Sequence, residues 1–434
     1  MERFILSQLI AWKDSKKRKP LVLRGARQTG KTWIMKEFGR LHFENFVCFN
    51  FDENEELKQL FETTKDVGRL IEQLSLIADA PIKPQSTLII FDEVQECSHA
   101  LNSLKYFKEN APEYAVIAAG SLLGILLAKP HSYPVGQVNF LDLAPLSFDE
   151  FLLATNESLY KFFITITKDS VINDIFHNRL MEAYRIYLTI GGLPEAVQSW
   201  IDDKNPQEVA RIHSEVVSLY EYDFGKHNGK VNAGRILMIF RNLVSQLSKE
   251  NRKFIYGVVK TGARAREFEE AVEWLVSAGM VNRVYCSSNN EYSLVTFDDL
   301  SAFKLYLLDT GLLKHMARLT NESVILDADF QFKGALAENY VVQQLLGQFE
   351  TSPRYFPFGK HEVDFLIQVG MRVIPIEVKS SKNIASPSSK AYKEKYNPPL
   401  YIRFSALNLK HDGTTLNIPF YLAGKTKDLI YLSP

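Results

Sequence analysis

Net charge is the first thing this 434-residue chain lacks, since 51 Lys and Arg face 51 Asp and Glu. Any grip on a polyanion must then come from a local basic patch, not from the surface as a whole. Cysteine is scarce as well. Cys48, Cys97 and Cys286 have no paired metal-type spacing, which argues against a disulfide framework or a thiolate zinc site and fits a reducing compartment, so the cytoplasm is the expected location. Long apolar runs are missing too. The longest uncharged stretch, Tyr114 to Ala128, is shorter than the ~20 residues a spanning helix needs and is interrupted by Gly120 and Ser121, so no membrane partner is expected. Met1 to Pro20 has no cleavage-site pattern and reads as an amphipathic helix rather than a signal peptide.

What is present is an ordinary globular composition, 46% hydrophobic and 24% charged, on a chain long enough for two to four domains. Near the start, the β-prone run Pro20 to Arg24 leads at once into Gly25, Ala26, Arg27, Gln28, Thr29, Gly30, Lys31 and Thr32, and Trp33 to Phe38 continues as a helix. Glycines in such a loop let successive backbone N–H groups face a phosphate chain, and the new helix adds its positive dipole end. All eight residues are therefore candidate ATP ligands. Lys31 is expected on the β and γ phosphates, and the Thr32 hydroxyl on Mg²⁺.

A second run, Thr87 to Phe91, is apolar throughout, as a strand buried on both faces should be, and it ends in Asp92 and Glu93. Asp92 suits the metal side of the site, and Glu93 suits orientation and deprotonation of the attacking water. A third apolar run, Ala115 to Ala119, precedes Gly120 and Ser121, and Ser121 is a candidate γ-phosphate sensor. Bland readings exist for both ends: an acidic pair or a serine after a strand also caps a helix, here Leu122 to Ala128 for Ser121. Order along the chain favours the nucleotide site.

These three elements in this order resemble the AAA+ superfamily, with Thr87 to Glu93 and Gly120-Ser121 in the places of its Walker B and sensor-1 strands. Phe140 to Phe151 and Gly191 to Val197 are similar to segments of a prokaryotic AAA+ family with a conserved C-terminal domain. The resemblance implies ATP hydrolysis, assembly into a homo-oligomer and an arginine supplied by a neighbouring subunit. Arg185 is a candidate phosphate sensor in the lid or a plain surface arginine. Gln137 stands where relatives tend to carry a basic residue.

Farther on, Phe151 to Phe224 reads as helical. Val231 to Val295 reads as three helices and a hairpin with strands Val281 to Tyr285 and Glu291 to Val295, a winged-helix pattern whose third helix spans about Ala265 to Ala278. Lys249 to Arg266 holds six basic residues against one acid, Glu250, a stripe that leaves DNA as a candidate partner. Glu267, Glu269, Glu270 and Glu273 face outward from the same helix and speak against it.

The last part carries Glu338 on a helix from Gly334 to Leu346, then two apolar strands, Glu362 to Ile367 and Val373 to Lys379. Strand periodicity puts Glu377 and Lys379 on one face, and the hairpin brings Asp364 toward them. Asp364, Glu377 and Lys379 are the candidate catalytic group, with Glu338, Asp364 and Glu377 as metal ligands. The arrangement resembles the PD-(D/E)xK nuclease superfamily, with Glu362-Val363-Asp364 in place of the Pro-Asp pair. A solvated cross-strand salt bridge is the bland reading of Glu377 and Lys379.

The expected architecture is α/β: a P-loop AAA+ core over residues 1–150, a helical lid over 151–225, a winged-helix domain over 226–330 and a restriction-endonuclease-like α/β domain over 331–434. The expected activity is ATP hydrolysis acting on DNA through the later domains, with ATP and Mg²⁺ as cofactors. The competing reading is a nucleotide-gated oligomeric switch or scaffold in which the nuclease-like domain serves protein contacts.

Overall fold

The computed structural model describes residues 1–430 except 122, 124–135, 228, 327–329 and 381–385, and leaves out the side chain of residue 227. Two compact units emerge, Met1–Ala144 with Ser277–Met280, and Pro145–Val276 with Val281–Pro434.

The first unit is a doubly covered parallel sheet. Its strands β1 (Leu21–Arg24), β2 (Asn45–Asn50), β3 (Thr87–Asp92), β4 (Ala115–Ala119) and β5 (Asn139–Asp142) lie in the order β2-β3-β4-β1-β5, and every neighbouring pair is parallel. Strand periodicity sends Leu21, Leu23, Leu88, Ile90 and Ile117 to one face, where Ile34, Met35 and Phe38 of α2 (Lys31–His42) and Leu9 of α1 (Ile5–Asp14) cover them. Val22, Ile89, Phe91 and Val116 point to the other face, toward α3 (Glu55–Thr63), α4 (Val67–Ile77) and α5 (Ser98–Asn110). Burial on both sides is why β3 and β4 contain no solvent-facing residue. The strand order has one consequence for chemistry: β4 lies between β1 and β3, so the residues after it fall between the glycine loop and the acidic pair.

The second unit begins with helices alone, as expected of 151–224: α6 (Phe148–Thr155), α7 (Glu157–Ile164), α8 (Asp174–Ile190), α9 (Pro194–Asp203) and α10 (Pro206–His227). The sequence marks their starts. Ser147 and Glu150 form a capping box on α6, and Asn156 and Asn173 cap α7 and α8. Two segments singled out in the sequence meet here, Leu146 N–H donating to the Gly192 carbonyl at 2.6 Å.

Then come α11 (Lys230–Leu247), α12 (Tyr256–Val259), α13 (Ala265–Ser277), β6 (Val281–Ser287) and β7 (Asp298–Leu307). The three helices and first strand stand where the sequence put them; the second strand does not. Ser293 sits at φ 66°, Leu294 is fully buried against Phe356, Val363 and Leu366, and Leu294–Phe297 is drawn into a 3₁₀ turn. Packing overrode a short β-prone run, and the strand starts three residues later than the expected one ended.

Nor does that hairpin stand apart as a wing. After α14 (Thr310–Met316), α15 (Asn321–Ile325) and α16 (Lys333–Leu345) come β8 (Arg354–Phe358), β9 (His361–Val369), β10 (Arg372–Lys379), α17 (Pro387–Tyr396), β11 (Tyr401–Ser405), β12 (Lys410–Asp412), β13 (Thr415–Pro419) and α18 (Thr426–Ile430). One eight-stranded sheet, β12-β13-β11-β10-β9-β8-β6-β7, takes in strands from both sides of the expected boundary at residues 330 and 331. Among the described residues no helix is long and apolar enough to cross a membrane.

Candidate functional sites

In the first unit β1 delivers the glycine loop and α2 receives it. Gly30, at φ 89°, precedes α2, whose N-terminus has no side-chain cap. Gly25 must be glycine for another reason: a Cβ there would stand 2.4 Å from the Leu143 carbonyl oxygen. Gln28 holds a left-handed backbone at φ 64°, and so does Glu93 at φ 48°. Such strain in residues other than glycine tends to gather at functional sites.

Lys31 is buried, and its ammonium donates to the Gly25 and Ala26 carbonyls at 2.9 and 2.7 Å. Burial pulls its pKa down to about 8, against the opposing pull of Glu93 and Asp92. The Thr32 hydroxyl donates to Asp92 Oδ2 at 2.6 Å. Asp92 is itself raised by burial and by the Glu93 charge, with the Thr32 bond working the other way. Glu93 accepts from Gln95 Nε2 on one oxygen and lies 3.5 Å from Ser121 Oγ on the other. The structure thus brings Lys31, Thr32, Asp92, Glu93 and Ser121 to one sheet edge. The helix expected from Leu122 to Ala128 lies outside the described residues apart from Leu123.

These residues fit a nucleoside triphosphate with its metal. An uncapped helix start and a desolvated ammonium resting on neutral carbonyls both call for a polyanion, and the hydroxyl–carboxylate pair of Thr32 and Asp92 offers hard oxygen donors for Mg²⁺.

The second unit gathers its own acids. Asp364 on β9 stands beside β10, whose ladder pairs Ile376 with Phe365, and its Oδ2 accepts the Val378 N–H at 2.7 Å. Glu377 and Lys379 share a face as the period of two requires, joined at 2.7 Å. Glu377 also accepts from Ser386 Oγ at 2.7 Å and Tyr401 OH at 2.9 Å. Glu338 on α16 is paired with Arg252 at 2.5 Å and accepts from Tyr306 OH at 2.9 Å. Lys304, fully buried, pairs with Glu362 at 2.7 Å. Burial first, then Glu338 and Glu377, drives the Asp364 carboxyl well above its usual range.

These contacts bear on the expected metal centre. Among the described residues no three His, Cys, Asp or Glu side chains are disposed to hold a metal ion, Glu338, Asp364 and Glu377 included. Four carboxyls, Glu338, Glu362, Asp364 and Glu377, lie among three cations, Arg252, Lys304 and Lys379, and burial with the neighbouring carboxylates favours the protonated form of Asp364.

The basic stripe is likewise partly spent. Arg252 is turned to Glu338, and Lys253 lies over the Tyr355 ring at 5.6 Å from its centroid. Lys260, Arg264 and Arg266 remain exposed, beside an α13 surface on which Glu267, Glu269, Glu270 and Glu273 are exposed too. Arg185 lies on α8 in the second unit, half-buried, and neither its Nε nor Gln137 Oε1 has a hydrogen-bond partner among the described residues.

Comparison with known proteins bears on this arrangement. Residues 17–152 match the family model described as AAA domain. The glycine-loop segment is the part of the chain similar to an AAA domain. Residues 181–323 and 333–421 match two families described as domains of unknown function, DUF8612 and DUF4143. No curated protein sequence matches. Similar solved structures include the Walker-type ATPase PABY2304 of Pyrococcus abyssi, 13% identical, TM-score 0.47, covering 73% of this chain and 95% of that one. Others are Cdc6p from Pyrobaculum aerophilum, 14% identical, TM-score 0.27, covering 74% and 93%, and the RuvB Holliday junction branch migration motor of Thermotoga maritima, 13% identical, TM-score 0.31, covering 64% and 87%.

Sequence reasoning missed two residues of the AAA domain site. Arg3, buried, donates to the carbonyls of Thr29 at 3.1 Å and Ala144 at 2.7 Å, tying the glycine loop to the chain beyond β5. Gln95 reaches Glu93 with its amide nitrogen, while its Oε1 stands where a Cβ on Gly120 would fall, 1.9 Å away. Gly120 therefore makes room for the side chain that holds Glu93. A glycine between an apolar strand and Ser121 was the available signal; nothing comparable marks Arg3.

Proposed function

We propose that the AAA domain binds ATP with Mg²⁺ and hydrolyses it. The observation that carries this reading is the Lys31 ammonium, buried on neutral carbonyl oxygens, a few ångströms of chain from Thr32 bonded to Asp92. A triphosphate offers Lys31 an anionic partner, and charge-assisted bonds are about twice as strong as neutral ones. Loop N–H groups and the start of α2 take the remaining phosphate oxygens. Thr32 and Asp92 would hold Mg²⁺, which when bound neutralises phosphate charge. Glu93, kept in place by Gln95 and Ser121, orients a water toward the γ phosphate and accepts its proton. Removing the lysine tests this directly: Lys31→Ala is expected to weaken ATP affinity in calorimetry at least about 100-fold. Equal affinity in the variant would remove the reading.

The AAA+ resemblance supports a homo-oligomer in the cytoplasm, with an arginine from one subunit completing the site of the next. Particle mass measured with and without a non-hydrolysable ATP analogue checks the assembly. For the C-terminal half, the helix carrying Glu338 and the hairpin carrying Asp364, Glu377 and Lys379 support a nuclease-like fold, and exposed Lys260, Arg264 and Arg266 support contact with DNA. The matched charges of the acid cluster favour the scaffold reading over cleavage. Plasmid cut by the purified chain in Mg²⁺ or Mn²⁺, and spared by Lys379→Ala, would reverse that preference.

A further inference from the structure

A groove apart from the glycine loop lies on the sheet face that α3, α4 and α5 cover. It measures about 340 Å³ and runs between the end of α3 and the outer face of α5, within the ~300–1,000 Å³ that small-ligand pockets occupy. Helical periodicity explains the α5 wall. His99, Asn102 and Tyr106 recur at intervals of three and four residues, and Lys105 stands one turn after Asn102. Phe61 and Lys65 face them from α3 and the link that follows it.

The lining is one-sided in charge. Lysines and a histidine contribute to it and no carboxylate does, although the chain as a whole balances 51 basic residues against 51 acidic ones. Of the acids nearby in the chain, Asp66 is committed to the cap of α4, accepting the Arg69 N–H at 2.9 Å, and Glu62 is exposed. Glu109 stands 4.0 Å from Lys105 with both side chains well exposed, a pair that contributes little. Lys65, His99 and Asn102 make no side-chain hydrogen bond or ion pair among the described residues. Their donors are unspent.

The floor, by contrast, is aromatic and fixed. Phe61 is buried, its ring centroid 5.4 Å from those of both Phe51 and Phe91. Tyr106, half-buried, packs on the same core. A rigid aromatic base under a cationic rim suits a ligand that is flat at one end and anionic at the other. We propose that this groove binds a phosphate monoester carried on a planar ring, of the class of a nucleoside monophosphate. The ring rests against Phe61 and Tyr106, and the Asn102 amide meets its polar edge. Lys65, His99 and Lys105 take the phosphate, whose charge of about −1.5 to −2 near neutral pH exceeds what a carboxylate offers. None of these residues belongs to the glycine loop or the acidic pair, so the inference stands apart from the nucleotide reading.

Isotope-edited NMR of the full chain labelled at histidine reads the groove directly, with the His99 signal identified by its loss in His99→Gln. AMP is expected to move that signal at concentrations at least about tenfold lower than inorganic phosphate or adenosine. The same response is expected in Lys31→Ala, which separates the groove from phosphate captured by the glycine loop. Lys65→Ala combined with Lys105→Ala is expected to weaken AMP at the groove at least about tenfold, and Tyr106→Ala to weaken AMP while leaving inorganic phosphate unchanged. A His99 signal indifferent to AMP would overturn the proposal. So would a response equal for AMP and inorganic phosphate, one that vanishes in Lys31→Ala, or one that the lysine and tyrosine variants leave intact.

Discussion

Both units bury cations beside carboxylates, yet they partner them differently. In the AAA domain Lys31 rests on the Gly25 and Ala26 carbonyls although Asp92 and Glu93 are near enough to influence its charge. In the second unit Arg252, Lys304 and Lys379 each close directly on a carboxylate. A cation on neutral acceptors is stabilised weakly and gains by meeting an anion. A cation on a carboxylate has already made that gain and holds the fold instead. Partner type, more than the presence of charged residues, separates a site prepared for a ligand from a cluster satisfied within the chain.

The sharpest way to break the comparison is at Glu93. Glu93→Gln keeps the shape and the contacts of Gln95 and Ser121 but removes the base, so ATP turnover is expected to fall about 10²–10⁴-fold while ATP affinity stays within a few-fold. Turnover measured by phosphate release, with binding by calorimetry, checks both halves. Unchanged turnover would mean that the acidic pair is a helix cap after all.

Glu338→Ala attacks the other cluster. It leaves Arg252 in a largely buried place without its carboxylate, and the expected loss is about 3 kcal/mol. That is the low end for a broken buried pair, because the Arg252 side chain keeps 20% of its surface exposed and can turn to water. Urea unfolding followed by circular dichroism reads the loss. A change near zero would make the pair ornamental and erase the contrast between the units.

How far the sequence carried this contrast depends on distance along the chain. Strand, glycine loop and helix are contiguous, so backbone periodicity and the glycines from Gly25 to Gly30 place Lys31 and Thr32 without tertiary information. Asp92 and Glu93 follow a strand whose unbroken apolar run announces burial on both faces. Arg252 and Glu338 are 86 residues apart, and nothing local to Arg252 tells a DNA-facing arginine from one turned inward. Arg3 is hidden in the same way, 26 residues from the loop carbonyl it holds. At Glu291 to Val295 local preference pointed to a strand, and burial of Leu294 among Phe356, Val363 and Leu366 decided otherwise. Local signals, in short, reached the ligand loop and failed where packing or charge pairing joins remote segments.

Acidity offers a gentler probe of the first site. Lys31 titrates near pH 8 in the chain alone because burial lowers it. A bound triphosphate favours the protonated form, so binding takes up a proton once the pH passes that value. The sign is therefore a loss of ATP affinity with rising pH, about tenfold between pH 7 and pH 9. Calorimetry in buffers of different ionisation enthalpy would detect the proton uptake. An affinity flat over that range would mean that Lys31 stays charged on its carbonyls and that the buried ammonium is better stabilised than its partners imply.

Lys379→Ala is expected to have the smallest effect. Its side chain is 25% exposed, and its partner Glu377 would retain the Ser386 and Tyr401 hydroxyls. Partly exposed ion pairs contribute about 0–1 kcal/mol, so the variant should unfold within that margin of the wild type and turn over ATP at the same rate. The contrast with Glu338→Ala is the useful part. Two ion pairs of one cluster would then differ severalfold because Lys379→Ala leaves Glu377 with two hydroxyl donors, whereas Glu338→Ala leaves Arg252 without its carboxylate. A loss as large as that of Glu338→Ala would instead mean that the three cations act as a single network.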